Sequence, residues 1–249
     1  MISKRPLLNA LQKAHAEALQ HLISEMSHHA LCWRSIGTVP HHAELVTSVL
    51  RQGISSLSES NRRAVAAAVE WMQINLDSAN NEIGQNYRTV SRRTVIVLAD
   101  IMENLVESTI GICLLHLDPT RISIKEVTSF KRQAASERML KQAVRSWESK
   151  LFESLPNRTQ RLNHMIEAFF PEFQTPPDCE VLDKLFSARN RFTHELIKLD
   201  ESEQEAEPEW SLAEVDDAFR VAGDFLMAMM KAIPGDLEAP IIPEKYAKR

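Results

Sequence analysis

The sequence predicts an all-α protein, on three observations. Only 6 of its 249 residues are glycine and 6 % are aromatic, a composition too poor in turn and strand formers for a sandwich, a barrel or a Rossmann sheet. Apolar residues recur at three- and four-residue spacing along most of the chain. Two Ser-x-x-Glu capping boxes, Ser123 with Glu126 and Ser211 with Glu214, mark helix starts.

Pro6 opens a periodic segment expected to reach about Trp33, where Gly37 and Pro40 should end it. A second helix is expected from about His41 to Leu57, and a third from Asn61 to about Leu76. Residues Asp77–Asn86 (DSANNEIGQN) form turns by composition and place a domain boundary there. A long helix follows from about Thr89 to Leu117, stopped by Asp118-Pro119. The capping box at Ser123 starts the next, with helical patterning through Leu155 and again from Asn157 to Phe170. Residues Pro171–Pro177 read as a loop, Cys179–Leu199 as a helix, and the acidic stretch beyond it as a second loop. The box at Ser211 opens a last helix, whose Val215, Ala218, Phe219, Ala222, Leu226 and Met229 keep one apolar face. The expected organisation is a helical bundle of about nine helices, with an N-terminal helical region (1–85), a second helical domain (86–235) and a tail (236–249).

The formal net charge of −5 announces no basic field for nucleic acid, but the acidity is local. Residues 200–217 hold nine acids and no Lys or Arg; without them 25 acids face 29 bases, a balance of +4. That stretch is expected to be a solvated loop, or a screen for a basic cleft. Three scattered cysteines, Cys32, Cys113 and Cys179, form no CxxC pair and suggest a reducing compartment. The N-terminus carries no secretory apolar region, and the longest apolar stretch contains Asp100, Glu103 and Glu107. A cytoplasmic protein with no membrane association is expected.

Chemistry concentrates in the helix DKLFSARNRFTHELIKL. Leu182, Leu185, Phe192, Leu196 and Leu199 form an apolar seam whose open slot is filled by Arg189, so that guanidinium must be paired or must line a polar cleft. The adjacent face carries Asp183, Ser187, Asn190 and His194. On the long upstream helix Asp100, Glu103, Asn104 and Glu107 share one face of an otherwise apolar cylinder and need partners. Arg189, Arg191 and His194 are the expected partners, so the two helices should pack with their polar faces sharing a cleft. His28, His29, Cys32, His41 and His42 match no closed zinc template and read as surface and turn residues. Arg88, Arg92 and Arg93, like Lys131, Arg132, Arg138, Lys141 and Arg145, read as solvated faces or as contacts to an RNA backbone.

The run Arg189-Asn190-Arg191-Phe192-Thr193-His194 resembles the R-x4–6-H motif of HEPN domains (higher eukaryotes and prokaryotes nucleotide-binding), in which the Arg is often followed by Asn. Glu103-Asn104-Leu105-Val106-Glu107 resembles the upstream helix with a characteristic acid, Glu107 being the closest match; the resemblance covers roughly residues 88–233. Two further Arg/His spacings fit the motif by count, but Arg34 to His41 crosses Gly37 and Pro40 and is expected to fix no shared face, and Arg158 to His164 turns the His about 240° away from the Arg. The resemblance implies a HEPN-type bundle that forms a homodimer and joins two Arg/His pairs in one cleft. It further implies a metal-independent endoribonuclease without cofactor, acting in a toxin–antitoxin or antiviral (abortive infection) system with an antitoxin or other defence subunit as partner. In that scheme His194 moves a proton at the ribose 2′-OH or the leaving oxygen, and Arg189 binds the phosphate. Asn190 assists, and Glu107 and Glu103 orient them. RNA products would end in 2′,3′-cyclic phosphates. Two departures stand out: Glu195 follows the histidine where Gly is frequent, and Leu196 replaces a Tyr that some members have modified by a partner nucleotidyltransferase. The alternative expectation is a non-catalytic interaction or RNA-binding module, an antitoxin or scaffold subunit, with Arg189 in a structural ion pair.

Overall fold

The computed structural model describes residues 4–53, 58–116, 137–176, 179–195 and 210–233, with backbone alone at 4–5, 51, 53, 137–140, 179 and 193–195. These residues form seven helices and no strand: α1 (Lys4–Gly53), α2 (Glu59–Gly84), α3 (Arg88–His116), α4 (Glu137–Leu151), α5 (Arg158–Glu167), α6 (Cys179–Glu195) and α7 (Leu212–Ala232). The all-helical expectation holds. The capping box at Ser123, the basic residues Lys131 and Arg132 and most of the acidic stretch lie outside the described residues, as does the tail.

Two expectations about the N-terminal part are corrected. The helices expected at 6–33 and 41–57 are one fifty-residue helix, α1, with Pro40 inside it. Proline removes one N–H from the ladder, yet a single lost bond is small against a run of helical bonds on both sides. The Thr38 hydroxyl donates to the Ser35 carbonyl beside it at 2.9 Å. Gly37 marks a close approach rather than a stop, since a Cβ there would lie 3.1 Å from the Tyr87 hydroxyl. The second correction is that α2 runs through most of the expected turn at 77–86 and ends at Gly84. Side-chain bonds four residues apart support it, Gln73 to Asp77 at 2.8 Å and Gln85 to Asn81 at 3.2 Å.

The turn itself is only Gln85-Asn86-Tyr87. Asn86 and Tyr87 are left-handed, at φ 52° and 60°. Tyr87 N–H reaches back to the Glu82 carbonyl (2.8 Å) and Asn86 N–H to the Ile83 carbonyl (3.0 Å), a Schellman ending with Asn in the place glycine usually takes. The Glu82 carboxylate then accepts from Thr89 N–H at 2.7 Å and Val90 N–H at 3.2 Å, so one residue closes α2 and caps the start of α3.

Packing divides the chain into two units. The first contains the described residues within Met1–Ser24, Val95–Asp200 and Asp216–Arg249; the second, those within Glu25–Thr94 and Glu201–Val215. In the first, α3 is apolar and buried nearly all round, with Leu98, Met102, Val106, Ile110 and Leu114 inside. Trp147 of α4 meets Phe169 edge-on at 6.0 Å, and Phe173 meets Phe225 of α7 at 5.7 Å. Leu7, Leu11, Ala18 and Leu22 form the buried stripe of α1, and His15 sits in that stripe, bonded to the Thr109 hydroxyl at 3.3 Å. In the second unit Trp33 packs on Tyr87, Arg93 pairs with buried Glu25 at 2.7 Å, and His29 bonds Thr94 at 3.0 Å. Among the described residues no helix is long and apolar enough to cross a membrane.

Candidate functional site

Helix α6 is anchored on α5 before it contributes any chemistry. Asp183, one residue of the polar face read from the sequence, accepts from Thr159 N–H at 3.1 Å and from the Asn157 side-chain amide. Asn157 in turn caps α5 through Gln160 N–H at 3.3 Å. These bonds tie the first turn of α5 to α6 and bring Arg158 into the space between α3 and α6.

Arg189 occupies the predicted slot between buried Leu185 and Phe192. Its Nε and Nη2 lie 3.2 and 2.9 Å from Asp100 Oδ1, and Nη2 lies 3.3 Å from Glu103 Oε2. The Nη1 donates to the Asn190 side-chain carbonyl at 3.0 Å. With 27 % of its side chain exposed, Arg189 is clamped and open to one side. The polar faces of α3 and α6 therefore meet.

Glu103 is the hub. Its other oxygen lies 2.7 Å from Arg158 Nη1, so one carboxylate bridges two guanidinium groups while only 9 % of it is exposed. Burial pushes its carboxyl above the ordinary range; Arg158 and then Arg189 act in the opposite direction, while Asp100 and Glu107 reinforce the rise. Arg158 continues to Glu148 on α4 at 3.2 Å and covers the ring of Phe186 at 5.3 Å. Arg161 reaches the same Glu148 oxygen at 3.5 Å and donates to the Leu155 and Pro156 carbonyls at 2.9 and 2.7 Å.

Glu107, buried on the same face of α3, turns toward α4. Its partner is Arg145 of α4, at 2.7 Å through Nε and 3.4 Å through Nη2. Facing Glu107 raises the Arg145 guanidinium further above its ordinary range. Arg145, read as a solvated or RNA-facing residue, thus belongs to the site. Asn104, on the same sequence face, is exposed. His194 lies in the last turn of α6, and its side chain is outside the described residues.

These groups line an open cleft of about 530 Å³ in the first unit, with Arg145, Arg158, Arg161 and Arg189 facing Glu103, Glu107 and Glu148. Sequence reasoning missed Arg158, Arg161 and Glu148. Arg158 entered only through its spacing to His164, which does not share the cleft lining. The signal available was the Asn157 cap followed by two arginines three apart, which places both on one face of α5. Chemically, the four guanidinium groups are balanced by the carboxylates of Asp100, Glu103, Glu107 and Glu148, and those open to the cleft, Arg145 and Arg189, can still offer donors to an anion such as a phosphodiester.

Among the described residues no group of three or more His, Cys, Asp or Glu side chains is placed to hold a metal ion. His28 and Cys32 touch at 3.2 Å, and His41 stacks edge-on against His42. Compared with known protein families, curated proteins and solved structures, the chain finds no match.

Proposed function

We propose that the chain is a metal-independent endoribonuclease of the HEPN type, acting as a homodimer in a toxin–antitoxin or antiviral defence system. One observation carries this reading: Arg189 is clamped by Asp100 and Glu103 at the edge of an open cleft with three further arginines, beside Asn190 and five residues before His194. In this reading the arginines hold the scissile phosphate, whose charge grows in the transition state. His194 transfers the proton of the attacking 2′-hydroxyl or the leaving oxygen. Asn190 and the carboxylates of Glu103 and Glu107 orient the arginines.

The test is cleavage of single-stranded RNA in EDTA, with the product ends analysed for 2′,3′-cyclic phosphate. Arg189→Ala and His194→Ala should each lower the rate by roughly 10²–10⁴-fold with helicity retained. Wild-type rates in both folded variants overturn the reading. A second reading is favoured by a specific observation, that Arg145, Arg158 and Arg189 each already face a carboxylate. Arginines so engaged hold the helices together without chemistry, which suits a non-catalytic interaction module such as an antitoxin or scaffold subunit. Overproduction separates the two: growth arrest with RNA degradation that needs His194 belongs to the enzyme alone.

A further inference from the structure

Helix α4 ends at Leu151, and the next residue is an aromatic ring left in solvent. Phe152 is 60 % exposed although it lines the arginine cleft. A single exposed apolar side chain is ordinary on a protein surface and means nothing by itself. Three features set this one apart. It continues a stripe on α4 and its end, with Arg145 and Ser149 at spacings of four and three, and all three line the cleft. The Arg161 guanidinium lies 5.1 Å from the ring centroid. That guanidinium is itself buried and fixed by two backbone carbonyls, so a rigid cation backs a ring that is still 60 % exposed.

An open aromatic face beside a row of guanidinium groups is the chemistry that binds unpaired nucleotides: the ring stacks a base while the cations hold the phosphates. A duplex keeps its bases stacked inside and offers no such face. We propose that Phe152 is a stacking platform for an unpaired nucleobase at the rim of the cleft, and that Arg145 holds the neighbouring phosphate, so that the site selects single-stranded nucleic acid. The proposal rests on the reading of the cleft as a phosphodiester site, and it does not require cleavage.

The experiment measures fluorescence anisotropy of a labelled 2′-O-methyl oligoadenylate of about eight nucleotides, within the span one such site covers. The 2′-O-methyl group removes the nucleophile, so binding is read apart from turnover. An abasic strand of equal length and a duplex serve as comparisons. Wild-type protein should bind the base-bearing strand about tenfold more tightly than the abasic strand or the duplex. Phe152→Ala should erase that preference and leave abasic binding unchanged; Phe152→Trp should restore it. Arg145→Ala should weaken both single strands and flatten the salt dependence by about one unit. Equal binding of base-bearing and abasic strands by wild type, an unaltered preference in Phe152→Ala, or no binding of any strand overturns the proposal. Preference intact with no cleavage of ordinary RNA overturns the nuclease reading and leaves this one standing.

Discussion

Glu103 and His15 are buried ionisable groups of the same unit, and their environments push stability in opposite directions with pH. Burial raises the Glu103 carboxyl above its ordinary 4.5, so the folded protein holds this proton where the unfolded chain has released it. Its contribution is therefore full below about 4.5 and is lost as pH rises through the folded value. In Glu103→Gln that decline should vanish, seen as a flatter plot of urea midpoint against pH on the alkaline side of 4.5. Glu103→Ala leaves Arg158 and Arg189 without their shared carboxylate and should cost roughly 2–4 kcal/mol in urea unfolding. Burial lowers His15 from 6.5 to about 4, and its Nδ1 has no hydrogen-bond partner among the described residues. The unfolded chain then binds the extra proton between those values, so stability rises with pH through that window and is level above it. The total is on the order of 3 kcal/mol, and His15→Leu should remove this acid sensitivity. An unchanged acid limb in that variant would contradict the assignment.

At the scale of elements, the α2–α3 turn and the start of α7 show local chemistry acting alone. Asn86 adopts a left-handed conformation that costs most side chains about 1–2 kcal/mol and that Asn tolerates. Asn86→Ala should lower stability by about 1 kcal/mol, and Asn86→Gly should leave it level or slightly higher, both read from urea midpoints. Ser211 and Glu214 form the reciprocal box expected from sequence: Ser211 N–H donates to the Glu214 carboxylate at 2.9 Å, and Glu214 N–H to the Ser211 hydroxyl at 3.3 Å. Ser211→Ala should cost about 1 kcal/mol, with Ser211→Thr close to wild type. These bonds span three residues and were legible from the letters S-L-A-E. The continuity of α1 was not. Gly37 and Pro40 carry strong local signals for a stop, yet the helix runs through both, and Gly37 instead leaves room for Tyr87, fifty residues away.

For the whole molecule, the HEPN reading requires two chains to bring Arg189 and His194 of each into one composite cleft. The expected outcome is a dimer in sedimentation equilibrium at micromolar concentration. A variant that stays folded but is monomeric should lose RNA cleavage with the same completeness as His194→Ala. Full activity in a monomer would remove the composite-site part of the reading, and the Phe152 platform would stand unaffected, since all its groups come from one chain.

Periodicity and composition determined the helical class, most helix starts and the placement of Arg189 in an apolar seam, because amphipathic spacing and capping depend only on neighbours in the chain. The same logic paired the polar face of α3 with α6, since a buried carboxylate face demands cations. Only tertiary structure decided which cations. Glu107 chose Arg145, and Glu103 divided itself between Arg158 and Arg189. Those choices depend on where α4 and α5 come to rest against α3, a matter of long-range packing that no spacing along the chain encodes.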